Sequence, residues 1–363
     1  MKFTISQSAL SKSVATVAKA VDEKSSLPIL GGILVTAEGN DVTLRATDLN
    51  VSIRRAAAAY VEEEGSTVVS GKMLERIVKS LPDSAVTFES TATAANISCE
   101  KARFSLKVLS PDDFPEFPQV NDASTVELPA TKMAEMASMV AKAVSKDKNR
   151  PILGGINVVV GDGMLTMVAT DSYRMFACNT AVEGCPEAPV SAVLRANDLL
   201  DALSVASDAD TVELGKSASL VSLRFGTTTF VARGLEGNYP NWKLLLPNSH
   251  EVDARVDVSL LASALKRVSV VASDNPTVRL SFSENAILLS AMDVNNGDAR
   301  EEVDAEVTGT VEIGLNHKFL ADCLSSLKGY DEAAVELKKS TEPAVFRGYG
   351  EVDFVALLMP VRL

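Results

Sequence analysis

Three aspartates recur at matching places along the chain, and their type and spacing could do chemistry. "ATD" ends at Asp48 and again at Asp171, and a similar "SAMD" ends at Asp293. Repeated carboxylates could act as general acids or bases, or could hold a metal ion. No nucleophile–base pair, metal-ligand cluster or phosphate-cradling glycine loop accompanies them, since "GDGMLT" lacks the full dinucleotide pattern. Aspartate after a strand commonly caps a turn, so the sequence predicts no catalytic residue and no metal site.

Other chemically active side chains are scarce. Only His250 and His317 are available for imidazole chemistry. Four cysteines are scattered without a CxxC pair, which predicts neither disulfides nor a zinc site and fits a reduced cytoplasm. No cofactor is expected. The N-terminus has no apolar signal region, and no run approaches the roughly 20 apolar residues of a membrane span, so we expect no membrane association.

An internal repeat sets the positions of the aspartates. Three sequences recur with one offset of 123 residues: "PILGGI" at 28 and 151, "VAKAV" at 17 and 140, and "ATD" at 46 and 169. A fainter third copy carries "SAMD" and a terminal "FVALLMPVRL" that resembles "FVARGLEGNYP" from Phe230. The period is about one domain long. The sequence therefore predicts three homologous domains, 1–121, 122–249 and 250–363.

Each domain has the pattern of a helix followed by strands, twice over. In the first helix Leu10, Val14, Val17 and Val21 fall on one face, and "DVTLRATDLNVSIRR" then alternates as strands do. Second helical patterns follow in "GKMLERIVKSL", "RANDLLDALSVA" and "NHKFLADCLSSLK", with further strands such as "SAVTFES" and "RFSLKVL". The prediction is an α+β fold in which each domain packs two helices on antiparallel sheets.

Charge is segregated between the helices and the rest of the chain. The formal net charge is −13, yet the six helical segments together carry +8, which leaves −21 elsewhere. Those segments are 7–21, 71–80, 130–148, 195–206, 258–273 and 316–328, of which only 195–206 is net negative. Lysine also serves simply to solvate a helix face. Over six equivalent helices, however, the segregation favours a surface facing a polyanion, and duplicated domains could arrange it in a ring.

Several motifs carry a resemblance to a known family. "MKFTI", "LPILGGILV", "ATDSYR", "FPEFP", "YPNW" and "MPVRL" occur in order, and the chain resembles the bacterial β sliding clamps over its full length. The resemblance implies the DNA clamp fold and a head-to-tail homodimer that closes into a ring with helices lining the hole. It also implies a non-catalytic, cytoplasmic and nucleoid-associated protein. Its partners would be double-stranded DNA, a clamp loader, and replicative and repair DNA polymerases and other proteins carrying clamp-binding motifs.

The resemblance further implies an apolar pocket for partner peptides between the second and third domains. Carried over by motif, its walls are Arg150, Ile152, Leu153, Thr170, Ser172, Tyr173, Arg174, Met175, Pro240, Leu244, Leu245, Pro343, Leu357, Met359, Pro360, Val361 and Arg362. Two positions depart from the family, which often has "GHR" in place of "SYR" and a basic residue in place of Leu244. Taken without the resemblance, "FVALLMPVRL" has the pattern of an ordinary core strand.

The resemblance assigns two further sets of residues. Lys24, Lys146 and Lys148 would contact duplex DNA, with weaker candidates at Lys12, Lys19, Lys72, Arg76, Lys79, Lys142, Lys266 and Arg267. The dimer contact would involve Arg103, Phe104, Leu106, Val270, Val271, Glu301 and Glu302. Here Phe104 and Leu106 would pack on the valines, and the glutamates would face Arg103 or Lys101. Two other functions stay open: an enzyme built on the repeated aspartates, and a scaffold that binds peptides without DNA.

Overall fold

The computed structural model describes residues 1–120, 124–186, 188–272, 276–293 and 297–362. Over these residues the chain forms two compact units. The first unit comprises Met1–Ala130 and Asp201–Gly234, and the second comprises Thr131–Leu200 and Leu235–Leu363. No helix of the described residues is long and apolar enough to span a membrane.

Six α-helices form in the described residues, two in each sequence repeat, as predicted. They are α1 Gln7–Val17, α2 Gly71–Ser80, α3 Ala130–Val140, α4 Ala196–Val205, α5 Val258–Val268 and α6 His317–Ser326. Ser6, Ser70, Asp257 and Asn316 cap α1, α2, α5 and α6 by accepting a hydrogen bond from a backbone N–H of the first turn. α3 is shorter than its predicted segment, because a 3-10 turn over Ala141–Ala143 follows it, and Lys146 and Lys148 lie beyond that turn in a loop.

Twenty-five strands are described, and the first thirteen belong to the first repeat and the first half of the second. They are β1 Lys2–Ser6, β2 Gly32–Glu38, β3 Asp41–Thr47, β4 Val51–Ala58, β5 Tyr60–Glu63, β6 Gly65–Ser70, β7 Ala85–Ser90, β8 Ala94–Cys99, β9 Ala102–Leu109, β10 Ser124–Pro129, β11 Gly155–Gly161, β12 Met164–Thr170 and β13 Arg174–Ala181. The others are β14 Val190–Arg195, β15 Thr211–Ser217, β16 Leu220–Phe225, β17 Thr228–Arg233, β18 Val252–Asp257, β19 Thr277–Ser283, β20 Ala286–Asp293, β21 Gly297–Thr308, β22 Val311–Asn316, β23 Glu332–Leu337, β24 Ala344–Gly348 and β25 Asp353–Leu358.

Each unit contains one large sheet in which all strand pairs are antiparallel, which confirms the predicted fold class. The first unit has the order β10-β15-β16-β17-β4-β3-β2-β6-β9-β8-β7-β1-β5. The second has the order β14-β11-β12-β13-β25-β24-β23-β18-β21-β20-β19-β22. One pair in each sheet joins strands of successive sequence repeats: β4 with β17 in the first unit, and β13 with β25 in the second.

The repeated "PILGG" forms a 3-10 turn that leads into a central strand. The turns are Pro28–Gly31 before β2 and Pro151–Gly154 before β11, each with proline at its first position. The second glycine of each motif lies against a neighbouring strand. A Cβ on Gly32 would collide with the Val68 side chain, and one on Gly155 would lie 2.6 Å from Cγ1 of Val193. Close packing therefore favours glycine at this position in both copies of the motif.

Candidate partner-binding site

A tight turn between β12 and β13 contributes several of the predicted pocket residues. The Asp171 carboxylate accepts hydrogen bonds from the backbone N–H groups of Tyr173 at 2.9 Å and Arg174 at 3.0 Å. Thr170 is buried and donates its hydroxyl to the Arg174 carbonyl at 2.7 Å. Ser172 has a φ of 80°, in the left-handed region. The aspartate therefore caps the turn, as the sequence pattern indicates.

Arg174 lies beneath this turn with only 9% of its surface exposed. Its Nε donates to Oδ2 of Asp171 at 3.0 Å, and its Nη1 donates to Oδ2 of Asp322 in α6 at 2.6 Å. The Phe319 ring, also in α6, covers the guanidinium at 4.3 Å from the ring centroid. Two carboxylates therefore pair with the Arg174 guanidinium, and an aromatic ring covers its face. This pocket residue supports the turn rather than presenting a free charge to a ligand.

An apolar cluster forms the floor of the candidate site. Met175 and Leu357, both predicted, are buried in it on the paired strands β13 and β25. The other buried members are Val168, Ala177, Val345 and Val355. Tyr239, Trp242 and Leu246 pack against this cluster.

Tyr239 fixes one side of the floor. Its hydroxyl donates a hydrogen bond to the Val168 carbonyl at 3.1 Å. Burial raises the pKa of Tyr239, so the phenol stays protonated and can keep donating. The aromatic ring is thereby held on β12 at the edge of the cluster.

Four large apolar side chains around this floor are exposed. Tyr173, Leu244, Leu245 and Met359 have 63, 80, 46 and 41% of their surface accessible. Met359 follows β25, and its N–H donates to the Tyr173 carbonyl at 2.9 Å, which links the C-terminal segment to the turn. Leu244 and Leu245 are the last two residues of a 3-10 turn that begins at Trp242. Large apolar side chains left exposed together are typical of a surface that binds a partner.

The polar side of the site is built on Arg150. Its Nη1 donates to Oγ of Ser172 at 2.9 Å, and its Nε donates to Oδ2 of Asp147 at 3.0 Å. Hydrogen bonds from the Asn149 N–H and from Arg150 lower the pKa of Asp147, which keeps this carboxylate ionised. Ile152 is half-buried beside Gly237, whereas Leu153 is buried. The Arg150 side chain is thus exposed at the surface of the site, in contrast to the nearly buried Arg174.

The last predicted wall residues have different surroundings. Pro240, Pro343 and Pro360 are half-buried. Val361 donates its N–H to the Gly314 carbonyl of β22 at 2.8 Å. Arg362 lines a separate cavity of about 230 Å³ with residues of β19 to β21, Arg279 and Arg300 among them. "FVALLMPVRL" thus combines both interpretations: a buried core strand as far as Leu358, and a more exposed segment from Met359.

The predicted DNA and dimer residues are on the surface. Lys24 is exposed just before the first "PILGG" turn, and Lys146 and Lys148 are exposed just before the second. In β9 the exposed Arg103 alternates with half-buried Phe104 and Leu106. In β21 the exposed Glu302 and the half-buried Glu301 lie on opposite faces. Val271 is half-buried, and Val270 is 77% exposed.

Sequence reasoning missed five residues of the site. Tyr239 and Trp242 lie in the quoted "YPNW", and Leu246 follows it; aromatic residues in a chain with only 5% of them could have indicated a role. Asp322 and Phe319 come from α6, which carried no pocket prediction. They lie about 145 residues beyond Arg174, so no short-range spacing could have indicated them, although Asp322 is the sixth residue of α6 just as Asp201 is the sixth of α4. No group of metal-ligating side chains occurs in the described part of the chain.

Comparison with known proteins agrees with this geometry. Models of the DNA polymerase III beta subunit match its N-terminal domain at residues 1–118, its central domain at 127–241 and its C-terminal domain at 243–362. The chain is 32% identical to the beta sliding clamp of Streptomyces coelicolor, with all of both chains covered.

Solved structures extend the likeness to the fold. The DNA polymerase sliding clamp of Bacillus subtilis superimposes with a TM-score of 0.94 at 28% identity, covering 100% of this chain and 99% of that one. The sliding clamp of Pseudomonas aeruginosa bound to griselimycin gives 0.94 at 25% identity, with both chains fully covered. Matched across all three domains, the chain belongs to the DNA polymerase III beta subunit family, the bacterial sliding clamps, which are processivity factors.

Proposed function

We propose that two copies of this chain close head to tail into a ring around duplex DNA and tether polymerases and other partners through the site on β13 and β25. The protein would act without catalysis, near the nucleoid in the cytoplasm. Each copy would contribute three domains, at 1–121, 122–249 and 250–363. The observation that carries the proposal is that two strands, β9 and β21, each have a neighbour on only one side along most of their length and carry opposite charge.

β9 has one open edge. It pairs with β8 along residues 102–107, whereas β6 reaches it only at Val108 and Leu109. No other strand of the described residues pairs with the remaining edge of 102–107. The exposed face of this segment carries Arg103 and Lys107, and the half-buried face carries Phe104 and Leu106. An unpaired strand edge of this kind is a template for pairing with a second chain.

β21 has an open edge of the opposite charge. It pairs with β20 from Gly297 to Asp304, and β18 joins it only from Ala305 onward. The exposed face of β21 carries Asp298, Arg300, Glu302, Asp304 and Glu306, which leaves a negative excess. Pairing β9 of one copy with β21 of the other would satisfy both edges and bring opposite charges together. Since each copy carries both edges, two copies would form two such contacts.

The side chains beside β21 refine the predicted contact. Glu301 already accepts a hydrogen bond from Nε of Arg267 at 2.9 Å within its own chain. That bond lowers the pKa of Glu301. We therefore propose that Arg103 of one copy meets Glu302 of the other, while the exposed Val270 packs on Phe104.

DNA would pass the exposed loops that carry Lys24, Lys146 and Lys148. Phosphate contacts supply affinity that falls steeply with salt, so a few contacts suit a ring that slides. The acidic remainder of the chain supports the proposal, because it would discourage duplex from binding elsewhere.

Partners would dock on the apolar floor and its exposed rim. The exposed Met359 gives an adaptable apolar surface, and Arg150 can orient a peptide through a charged hydrogen bond. A ligand-bound relative, the Pseudomonas aeruginosa clamp with griselimycin, supports a ligand site in this fold. We propose that clamp loader, replicative polymerase and repair polymerases share this site by means of short motifs.

Two other functions fit the side chains less well. An enzyme would need Asp48 and Asp171 for chemistry, yet both carboxylates accept the N–H groups of their own turns. A scaffold that binds peptides without DNA would leave the exposed loop lysines without a role. Retention on circular but not on linear DNA distinguishes that scaffold from a clamp.

The test is loading onto nicked circular DNA with a compatible clamp loader and ATP, followed by linearisation and gel filtration. We expect the protein to co-elute with circles and to be lost after cutting, because the link would be topological. Retention after linearisation would indicate ordinary DNA contacts instead. Failure to load, with loader activity verified on another clamp, would refute the ring. Substitution of Arg103 by Glu should abolish loading, and Glu302→Arg in the same chain should restore it.

A further inference from the structure

One helical segment carries a net negative charge, whereas the other five carry a net positive charge. The segment 195–206, which contains α4, is the only helical segment with a negative count, and it holds Asp198 and Asp201. Asp208 follows a few residues beyond its end. The resemblance to the sliding clamps implies that helices line the hole of the ring, so Asp198 and Asp201 would lie on the side that faces DNA.

Two of these carboxylates hold lysines of the first helix segment. Lys19, in the 3-10 turn after α1, places Nζ 2.6 Å from Oδ1 of Asp201. Lys12 in α1 donates through Nζ to Oδ2 of Asp208. All four side chains remain partly exposed, so both pairs face solvent. Each lysine thus has a carboxylate from a distant part of the sequence within hydrogen-bond distance.

The loop lysines differ. Lys24, Lys146 and Lys148 are exposed, and in the described ranges no ion pair involves any of the three. The chain therefore has two classes of candidate DNA-binding lysine. Those on the loops present an uncompensated charge, whereas Lys12 and Lys19 present a charge already matched by an aspartate.

We propose that Asp201 and Asp208 attenuate DNA binding, by holding Lys19 and Lys12 so that the loop lysines carry most of the phosphate contact. This inference rests on the proposed DNA function. An exposed ion pair is weak, so a phosphate could displace the carboxylate. The displaced aspartate would then lie unpaired beside the polyanion, and this repulsion would offset most of the binding free energy that the lysine–phosphate contact provides. Attenuated contacts leave the ring mobile, because every full phosphate contact adds affinity and salt dependence.

The test measures how DNA affinity depends on salt for Asp208→Asn and Asp201→Asn. Asparagine keeps the size of aspartate and frees the lysine. The slope of log K against log salt should steepen by about 0.9 for each freed lysine, so a fourfold rise in salt should weaken binding about 3.5-fold more per lysine. Binding is read by anisotropy of a short fluorescent duplex, and sliding by diffusion of loaded protein on DNA with blocked ends.

Two controls separate sequestration from a general charge effect. Asp162→Asn makes the same charge change in the exposed β11–β12 hairpin and should leave the slope unaltered. In a double-mutant cycle, Asp208→Asn should no longer steepen the salt slope once Lys12→Ala is also present. The single variant Lys12→Ala should reduce the salt slope by less than Lys148→Ala does. The same cycle applies to Lys19 and Asp201.

Any of three results would overturn the inference, and the first two are unchanged slopes in both aspartate variants and an equal gain in slope from Asp162→Asn. A loss of slope in Lys12→Ala as large as that in Lys148→Ala would do the same, since Lys12 would already be bound to phosphate. Loading of the unsubstituted protein on circular DNA is measured first. If it does not load, the proposed function fails; if it loads and slopes do not change, only this inference fails.

Discussion

The two units carry the same turn with different side chains. In the first unit the Asp48 carboxylate accepts the N–H groups of Asn50 at 2.8 Å and Val51 at 2.6 Å. The Thr47 hydroxyl donates to the Val51 carbonyl at 2.9 Å, and Leu49 has a φ of 72°. Each of these features has its counterpart 123 residues later, in the turn from Thr170 to Arg174. Duplication has preserved the backbone of the turn and the aspartate that caps it.

The surroundings of the two turns have diverged. Leu27 and Leu49 occupy the positions of Arg150 and Ser172, and both leucines are about half exposed. Val51 stands where Arg174 stands in the second unit. The comparison teaches that the capped turn is a general scaffold. The candidate partner site arises from what surrounds it in the second unit: the apolar cluster, the arginines and the segment after β25.

The largest expected difference is in partner binding. Met359→Asp should weaken binding of a labelled peptide from the cell's replicative polymerase by at least about tenfold, because a carboxylate would enter an apolar rim. Leu49→Asp introduces the same charge at the turn of the first unit and should leave the affinity unchanged. Fluorescence anisotropy measures the affinity of both variants for the peptide. An equal loss of peptide affinity in the two variants would contradict the assignment of the partner site to the second unit.

A second difference concerns the aspartates at the sixth residue of α4 and α6. Asp322→Ala should lower the free energy of unfolding of the second unit by about 1–3 kcal/mol, because it leaves the nearly buried Arg174 short of a carboxylate. Asp201→Ala breaks only an exposed pair with Lys19 and should cost less than about 1 kcal/mol. Urea unfolding measures both costs. Hydrogen exchange at Tyr173 to Met175 should quicken in Asp322→Ala alone; no change there would argue against the coupling of Arg174 to the turn.

A smaller difference concerns the backbone of the two turns. Leucine is disfavoured at a left-handed φ, whereas asparagine tolerates it. Leu49→Asn should therefore stabilise the first unit by about 0.5–1 kcal/mol. Ser172→Asn should gain less, because it also removes the hydroxyl that accepts from Arg150. Thermal unfolding of the two variants tests this, and a destabilised Leu49→Asn would show that the leucine side chain packs favourably.

The smallest effect is a shift in the titration of Asp208. The hydrogen bond from Lys12 holds the pKa of Asp208 below its ordinary value of 3.8. A depressed pKa adds stability above the unfolded value, and this contribution is lost as pH falls through the folded pKa. Carbon-13 NMR should find the pKa of Asp208 below 3.8, and closer to that value in Lys12→Ala, where Ser207 and Arg55 still lower it. Asp208 has no counterpart in the third repeat. The offset that relates Asp201 to Asp322 relates Asp208 to position 329, which is a glycine and has no carboxylate.

Local features of this protein followed from local chemistry. The stripe of Leu10, Val14 and Val17 predicted α1, and strand alternation predicted β3, β4 and β9. The frequent role of aspartate in turns predicted the caps at Asp48 and Asp171. The repeat offset predicted that both turns would match. Met175 and Leu357 were carried to the candidate site by motif, and both lie in its apolar floor.

Contacts between distant segments did not follow from those patterns. Asp322 and Phe319 lie about 145 residues beyond Arg174, and no periodicity relates them to it. Likewise, Arg362 adjoins the site in sequence yet lines another cavity, since Val361 bonds to β22. Short-range spacing cannot indicate which distant side chain fills a space.

By itself the sequence determined the repeat, the fold class, the capped turns and the family, because helical and strand periodicity and turn chemistry act over a few residues. Only the tertiary structure decided which charges are exposed and which are paired with a distant carboxylate. Arg174 and Arg150 are the same type of residue, but the first is nearly buried against Asp322 and Phe319 of α6, whereas the second is exposed. Lys12 and Lys24 are both exposed and differ in pairing, because packing brings Asp208 to the first. Charge is a property of the residue, whereas its availability depends on what the fold places next to it.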